Sequence, residues 1–302
     1  MIQDRIHEIL RERGPLSGRE LQAALPVDRL ELWRECHLDE DLIVRNFGCQ
    51  YLRLDRRIPS LSRLSPSILR GFHTYTVIAL RSQRARLEVS VNERLARVQE
   101  ISRFKTDIAA SLVSSVLNEL AVSGIPASPA AFLIAGDTAY GMSHDEPRPE
   151  RSTGRLVRGS DIDLVVLLRD SAPDTFLTAL DDAIHREKFR LLINPGINQE
   201  IDYVVKRMER LREQAAFDTF RRMVACKIIK ESLLIAGDAG ILDEAREILS
   251  GRGVFTRLEA MEEEARAERE EAVRLLLESA RHLAVGEVSN LFYSAEESEE
   301  FE

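Results

Sequence analysis

Apolar residues fall on one helical stripe over residues 2–13, where Ile2, Ile6, Ile9 and Leu10 line up before Gly14-Pro15 breaks the pattern. Ser17 and Glu20 have the spacing of a capping box, which predicts a second helix through Leu25. Asp28 opens a third that runs to about Leu38. The pattern then changes. Leu42–Arg45 and Tyr51–Leu54, either side of a Phe47-Gly48 turn, read as a β-hairpin. Residues 59–82 read as a linker, rich in proline and serine at its start, and Phe72–Leu80 within it fits strand or helix. From Arg84 to Leu120 the helical spacing is sustained through Leu87, Val91, Leu95, Val98, Ile101, Phe104, Ile108, Leu112 and Val116. Such a helix, in one piece or two, would be about 50 Å long and could lead from the first domain into the next. Gly124-Ile125-Pro126 ends it.

Beyond that point apolar runs of strand length appear. Phe132–Ala135 stops at Gly136, Leu164–Leu168 is unbroken, and Ile201–Val205 follows Gln199 and Glu200. A helix from Thr175 to Phe189 separates the last two, a β-α-β arrangement suited to a mixed sheet. Residues 207–250 and 255–285 read as helical blocks and the stretch from Ser294 as an acidic, disordered tail. The expected fold is α+β: a three-helix-plus-hairpin domain over 1–58 and the linker 59–82. A mixed-sheet core with its leading helix spans 83–206, a helical region 207–293 and the tail 294–302.

Composition adds limits. With 302 residues, 44% hydrophobic and 31% charged, the chain reads as globular, with room for two or three domains. No apolar run approaches a membrane span and the N-terminus does not read as a signal peptide, so no membrane partner is expected. Cys36, Cys49 and Cys226 are scattered and suggest neither disulfides nor zinc, which fits a cytoplasmic protein. Charge is uneven. Residues 56–105 hold eleven Lys or Arg against Glu88, Glu93 and Glu100, while 259–302 hold fourteen acids against four arginines. Solvated helix faces would account for both; so would a basic surface that grips an RNA or protein acceptor.

The stretch Gly159-Ser160-Asp161-Ile162-Asp163 carries the candidate chemistry. Two acids open a buried strand, and alternation places them on one face with Cα atoms about 6.5–7 Å apart. Carboxylates so placed can close on divalent cations from one side. Acids that merely solvate a strand end give the same local pattern. The strand–glycine turn at Gly136, this Asp-x-Asp strand and the later strand with Glu200 and Asp202 occur in an order that resembles the DNA polymerase β-like nucleotidyltransferases. The resemblance covers roughly residues 105–240. The first domain resembles a winged helix-turn-helix. Its third helix carries Asp28, Glu31 and Glu35, so specific duplex DNA is not the expected partner, although Arg45, Arg53, Arg56 and Arg57 count the other way.

The resemblance implies a Mg²⁺-dependent enzyme, with Mn²⁺ as the alternative ion and an NTP such as ATP as substrate. Asp161, Asp163 and a third acid would bind metal. Gly136, Asp137, Thr138 and Ser160 would lie at the nucleotide, with Lys227 and Lys230 as candidate triphosphate contacts. Glu200 and Asp202 share a strand face, so periodicity cannot separate them. Asp202 is preferred because apolar neighbours fix its backbone, whereas Glu200 is expected at a solvated strand end. The basic connection Ser143–Arg158, with Arg148, Arg151, Arg155 and Arg158, is either a surface loop or one that closes on triphosphate or acceptor. Family members often carry Ser after the glycine, where this chain has Asp137, which donates no hydrogen bond and would repel phosphate. Three functions therefore stay open: a nucleotidyltransferase of undetermined acceptor, a catalytically inactive nucleotide or nucleic-acid sensor, and a toxin-like enzyme modifying tRNA or protein. The oligomeric state is not legible.

Overall fold

The computed structural model describes residues 1–150, 154, 156–279 and 291–292. The expected acidic tail 294–302, Arg151, Arg155 and the end of the 255–285 block lie outside them. The protein is mixed α+β and divides into two compact units, Met1–Arg97 together with Ala260–Glu299, and Val98–Glu259. No helix of the described residues is long and apolar enough to cross a membrane.

The first unit runs α1 (Ile2–Arg13), β1 (Leu16–Ser17), α2 (Gly18–Ala24), α3 (Arg29–Leu38), β2 (Leu42–Asn46), β3 (Tyr51–Leu54), β4 (Ser62–Ser65), α4 (Ile68–Thr74) and β5 (Thr76–Leu80). The capping box forms as its spacing predicts: Glu20 N–H donates to Ser17 Oγ, and Ser17 N–H donates to Glu20 Oε2. Asp28 accepts from the backbones of Leu30 and Glu31 and starts α3. Ile6, Leu10, Leu21, Trp33, Phe72 and Ile78 share one core.

Two expectations fail here. β2 and β3 do not form a hairpin: β2 pairs with β5, and β3 pairs with β4. The span 59–82 is not a linker, since β4, α4 and β5 all lie in it. The reason is burial. All five residues of β5 are buried, and the strand is paired along both edges in the antiparallel order β1-β5-β2. Thr76 Oγ1 donates to Asn46 Oδ1 at 2.6 Å and closes the far end of the β2–β5 ladder.

The helix α5 (Arg84–Val122) is continuous over 39 residues. Its first part counts with the first unit, and from Val98 it belongs to the second. The second unit continues with β6 (Ala130–Ala135), α6 (Gly136–Ala139), β7 (Pro147–Pro149), β8 (Leu156–Arg158), β9 (Ile162–Leu168), α7 (Asp174–Ile193), β10 (Ile201–Arg207), α8 (Met208–Gln214), α9 (Phe220–Glu231), β11 (Leu233–Gly237) and α10 (Ala239–Gly251). A final helix, α11 (Val254–Ser279), starts there, and from Ala260 its residues belong to the first unit. In that unit Leu276 joins the core, and Arg269 donates to the carbonyls of Leu64 and Pro66. Residues 207–293 are therefore not one helical domain.

The four-stranded sheet has the order β10-β9-β6-β11. β10 lies parallel to β9, while β6 is antiparallel to both β9 and β11. Alternation sends Ile162, Leu164, Val166 and Leu168 to one face, where they share a core with Ala109, Leu112 and Val116 of α5 and Phe176, Leu180 and Ile184 of α7. The opposite face of β9 begins with Asp163. β11 falls inside a block read as helical, and β7 and β8 inside one read as a loop.

Candidate functional site

Parallel pairing of β9 with β10 is set by the apolar matches Ile162–Ile201 and Leu164–Tyr203, and between them it places Asp163 opposite Asp202. Asp161 and Glu200 precede the two strands on the same faces as Asp163 and Asp202, and Ile162 N–H donates to the Glu200 carbonyl at 3.0 Å. On its other edge Asp163 pairs with Ala135, the last residue of β6. Gly136 follows with φ 60°, and a Cβ there would stand 2.0 Å from Asp163 Oδ2. Only glycine lets the turn lie against that carboxylate. Asp161, Asp163 and Asp202, the three expected metal ligands, are thus brought together at the N-terminal ends of the neighbouring strands β9 and β10.

They are not closed on a point. Among the described residues, the one group of three whose ligand atoms all lie within 4.8 Å of one another is His7, Asp39 and Asp41 in the first unit. Two cations hold three of the sheet acids. Lys188 Nζ of α7 lies 3.1 Å from Asp202 Oδ1. Arg148 of β7 reaches Glu200 Oε2 at 2.8 Å and Asp161 Oδ2 at 3.5 Å, while its Nε donates to the Gly159 carbonyl at 2.6 Å. Glu200 is only 4% exposed, so it is not the solvated strand-end residue expected from its position. Burial raises its pKa against the lowering effect of Arg148, and Asp161 and Asp202 raise it further. Asp161 is raised likewise, by burial first, against Arg148, with Asp202 and Asp137 adding to the rise.

Beneath these acids is a residue that sequence reading missed. Lys105 of α5 is 1% exposed. Its ammonium donates to the carbonyls of Arg158 at 3.1 Å and Ser160 at 2.6 Å, and to the side-chain oxygen of Gln199. Three donors meet three acceptors, which ties the approach to Asp161 to the approach to Glu200. Burial lowers the Lys105 pKa to about 8, with the field of Asp161 opposing. The signal was present: Lys105 lies four residues from both Ile101 and Ala109 on the buried stripe, while Phe104, expected there, is 51% exposed.

The expected nucleotide contacts divide. Ser160 Oγ donates to Asp137 Oδ2 at 2.8 Å, so Asp137 belongs to the acidic group. Thr138 is buried, with its hydroxyl 3.0 Å from Ser143 Oγ, and does not stand in for the missing serine. Gly136 N–H donates to Glu231 Oε1 at 3.2 Å, and the same carboxylate accepts from Tyr140 at 3.1 Å and pairs with Lys227 at 2.8 Å. Lys227 is therefore buried in an ion pair rather than presented as a free cation, and Lys230 pairs with Glu259 at 3.3 Å. Within the basic span 56–105, Arg57 and Arg63 pair with Asp55, and Arg94 with Glu20.

No family model, curated protein or solved structure matches the chain.

Proposed function

We propose that the protein is a divalent-metal-dependent nucleotidyltransferase that moves an NMP group from an NTP, ATP among them, to a hydroxyl acceptor on an RNA end, a protein or a small molecule. The observation that carries this reading is the register that sets Asp163 opposite Asp202, with Asp161 two residues ahead on the same face and the Gly136 turn against Asp163. The donor set fits Mg²⁺ or Mn²⁺, since Asp161, Asp163 and Asp202 offer carboxylate oxygens from neighbouring strands. Asp161, Asp163 and Asp202 would hold the ion, which when bound neutralises phosphate charge and lowers the pKa of an acceptor hydroxyl. Asp202, at the sheet edge, would orient that hydroxyl. A bond forms from the acceptor oxygen to the α-phosphorus, the bond to the bridging oxygen breaks, and pyrophosphate leaves. Lys105 keeps the backbone of the acids in place.

In the first unit, the order β1-β5-β2 behind α2 and α3 supports a winged-helix reading, with β3, β4 and α4 inserted before the last strand. The acids of α3 favour a protein contact or a structural role over duplex DNA. A cytoplasmic location goes with the same reading.

A second reading, an inactive nucleotide- or nucleic-acid-binding regulator of the same fold, is favoured by one observation: Glu231 takes the Gly136 N–H that a phosphate would need. Mass spectrometry of cell extract incubated with the protein, Mg²⁺ and each labelled nucleotide separates the two. A nucleotide adduct made by the wild type and not by Asp163→Asn supports the transferase. Nucleotide binding without any adduct supports the regulator.

A further inference from the structure

Arg148 stands where the site's charge has to be managed. Its guanidinium lies between Asp161 and Glu200 and engages them unequally: Nη1 is 2.8 Å from Glu200 Oε2, while Nη2, buried and without a hydrogen bond, stays 3.5 Å from Asp161 Oδ2. A buried guanidinium nitrogen left short of its acid is costly, so the Asp161 side of this arrangement is held by charge more than by fit. Among the described residues β7, which carries Arg148, is paired only with β8 and lies outside the four-stranded sheet. It is β8 that is tied to the core, through the Arg158 N–H on the Asn198 carbonyl and the Arg158 carbonyl on Lys105. The Arg148 side chain is 26% exposed and has a way out to solvent.

Resting on the transferase reading, we propose that Arg148 is a displaceable counter-ion that leaves Asp161 and Glu200 when a divalent ion binds, and then takes the triphosphate of the incoming NTP. The two tasks are chemically compatible. Guanidinium matches carboxylate and phosphate oxygens with the same forked donors, and it is repelled by a divalent ion bound to the carboxylates it leaves. Lys188 cannot do this from its place, since its partner is Asp202 at the other end of the acidic row. The Gly159 carbonyl accepts from Arg148 Nε at 2.6 Å, which keeps the guanidinium beside the acids.

The proposal gives opposite signs for two affinities in one variant. In the full-length protein, Arg148→Gln should bind Mn²⁺ about tenfold more tightly, because a neighbouring cation is gone. With Mn²⁺ saturating, the same variant should bind a non-hydrolysable α,β-methylene NTP about tenfold more weakly. A merely structural role for Arg148 would weaken both. Arg148→Lys keeps the charge but not the fork; it should shift both affinities by less, and it serves if the Gln variant does not fold by circular dichroism. Calorimetry reads both constants. Unchanged or weaker Mn²⁺ binding in the variants, or unchanged analogue binding, overturns the proposal while leaving the transferase reading intact, provided that Asp163→Asn loses the ion. If the wild type binds Mn²⁺ no better than Asp163→Asn, the metal-site reading fails and takes this proposal with it.

Discussion

The ammonium of Lys105 donates to the carbonyl of Ser160, the residue immediately before Asp161, at 2.6 Å. A buried cation thereby fixes the backbone from which the first carboxylate projects. Lys105→Met keeps the length of the side chain but leaves two carbonyls and Gln199 without their donor. It should cost about 1–3 kcal/mol. If the lysine also positions Asp161, Mn²⁺ affinity should fall together with stability. Denaturant unfolding and calorimetry on the folded variant check both, and a variant with native stability would show that the contact adds nothing.

The Gly136 turn and Asp163 are in still closer contact. A methyl group at 136 would meet Asp163 Oδ2 at 2.0 Å, on a backbone with φ 60°. Gly136→Ala should therefore lose about 1–2 kcal/mol from the left-handed conformation alone and displace the carboxylate as well. Asp163→Asn, nearly equal in shape, should leave the thermal midpoint near that of the wild type and abolish nucleotide transfer. Transfer by Asp163→Asn at the wild-type rate would rule out the site.

How far the site was legible follows from where its information is stored. The strands β6, β9 and β10 are short apolar runs, and the positions of Gly136, Asp161, Asp163 and Asp202 follow from alternation along them. The cations that hold the acids come from elsewhere. Lys188 gives no signal in its helix, and Lys105 had one only as a charge on a buried stripe. β11 is an apolar run as well, Leu233-Leu234-Ile235-Ala236, but it follows α9 after a single residue and its side chains are exposed or half-buried, so it reads as more of the same helical block. The β2–β5 pairing joins residues thirty or more positions apart. Nothing at the Phe47-Gly48 turn announces it, and a hairpin was the better local fit.

His73 of the first unit gives a pH signature. Burial, with Arg19 and Arg29 adding, lowers its pKa from 6.5 to about 4, and its Nε2 is buried with no hydrogen-bond partner. The folded protein therefore holds His73 neutral over a range in which the unfolded chain protonates it. Its contribution is present above pH 6.5 and is lost as the pH falls toward 4. Unfolding at a series of pH values should give a shallower acid limb for His73→Gln than for the wild type between those limits. Parallel limbs would mean that this histidine is not what titrates.

Duplex DNA is a further test, and it needs the whole chain because β2 is paired to β5 beyond residue 58. Asp28 is used as a helix cap, but Glu31 and Glu35 remain on α3, and Arg57 and Arg63 are turned to Asp55. The full-length protein should bind a random duplex weakly and with no sequence preference at physiological salt. Tight, sequence-dependent binding that falls steeply with salt would contradict this.

The last test decides which residue is the third carboxylate. Register places Asp202 opposite Asp163, and its partner Lys188 reaches it through a single contact at 3.1 Å with both side chains partly exposed. An aspartate so placed can exchange a lysine for a metal ion at little cost, since surface pairs contribute only about 0–1 kcal/mol. Glu200 is two residues further out, almost fully buried, and faced by Arg148. Its longer side chain suits a buried pair with that arginine better than a short ligand on a rigid strand. Asp202→Asn should therefore abolish transfer and weaken Mn²⁺ binding. Glu200→Gln should keep transfer within about tenfold and lose stability instead, because it leaves Arg148 facing one acid rather than two. Measured side by side, the two variants give a clear answer: loss of transfer in Glu200→Gln alone would move the third ligand two residues out along the strand.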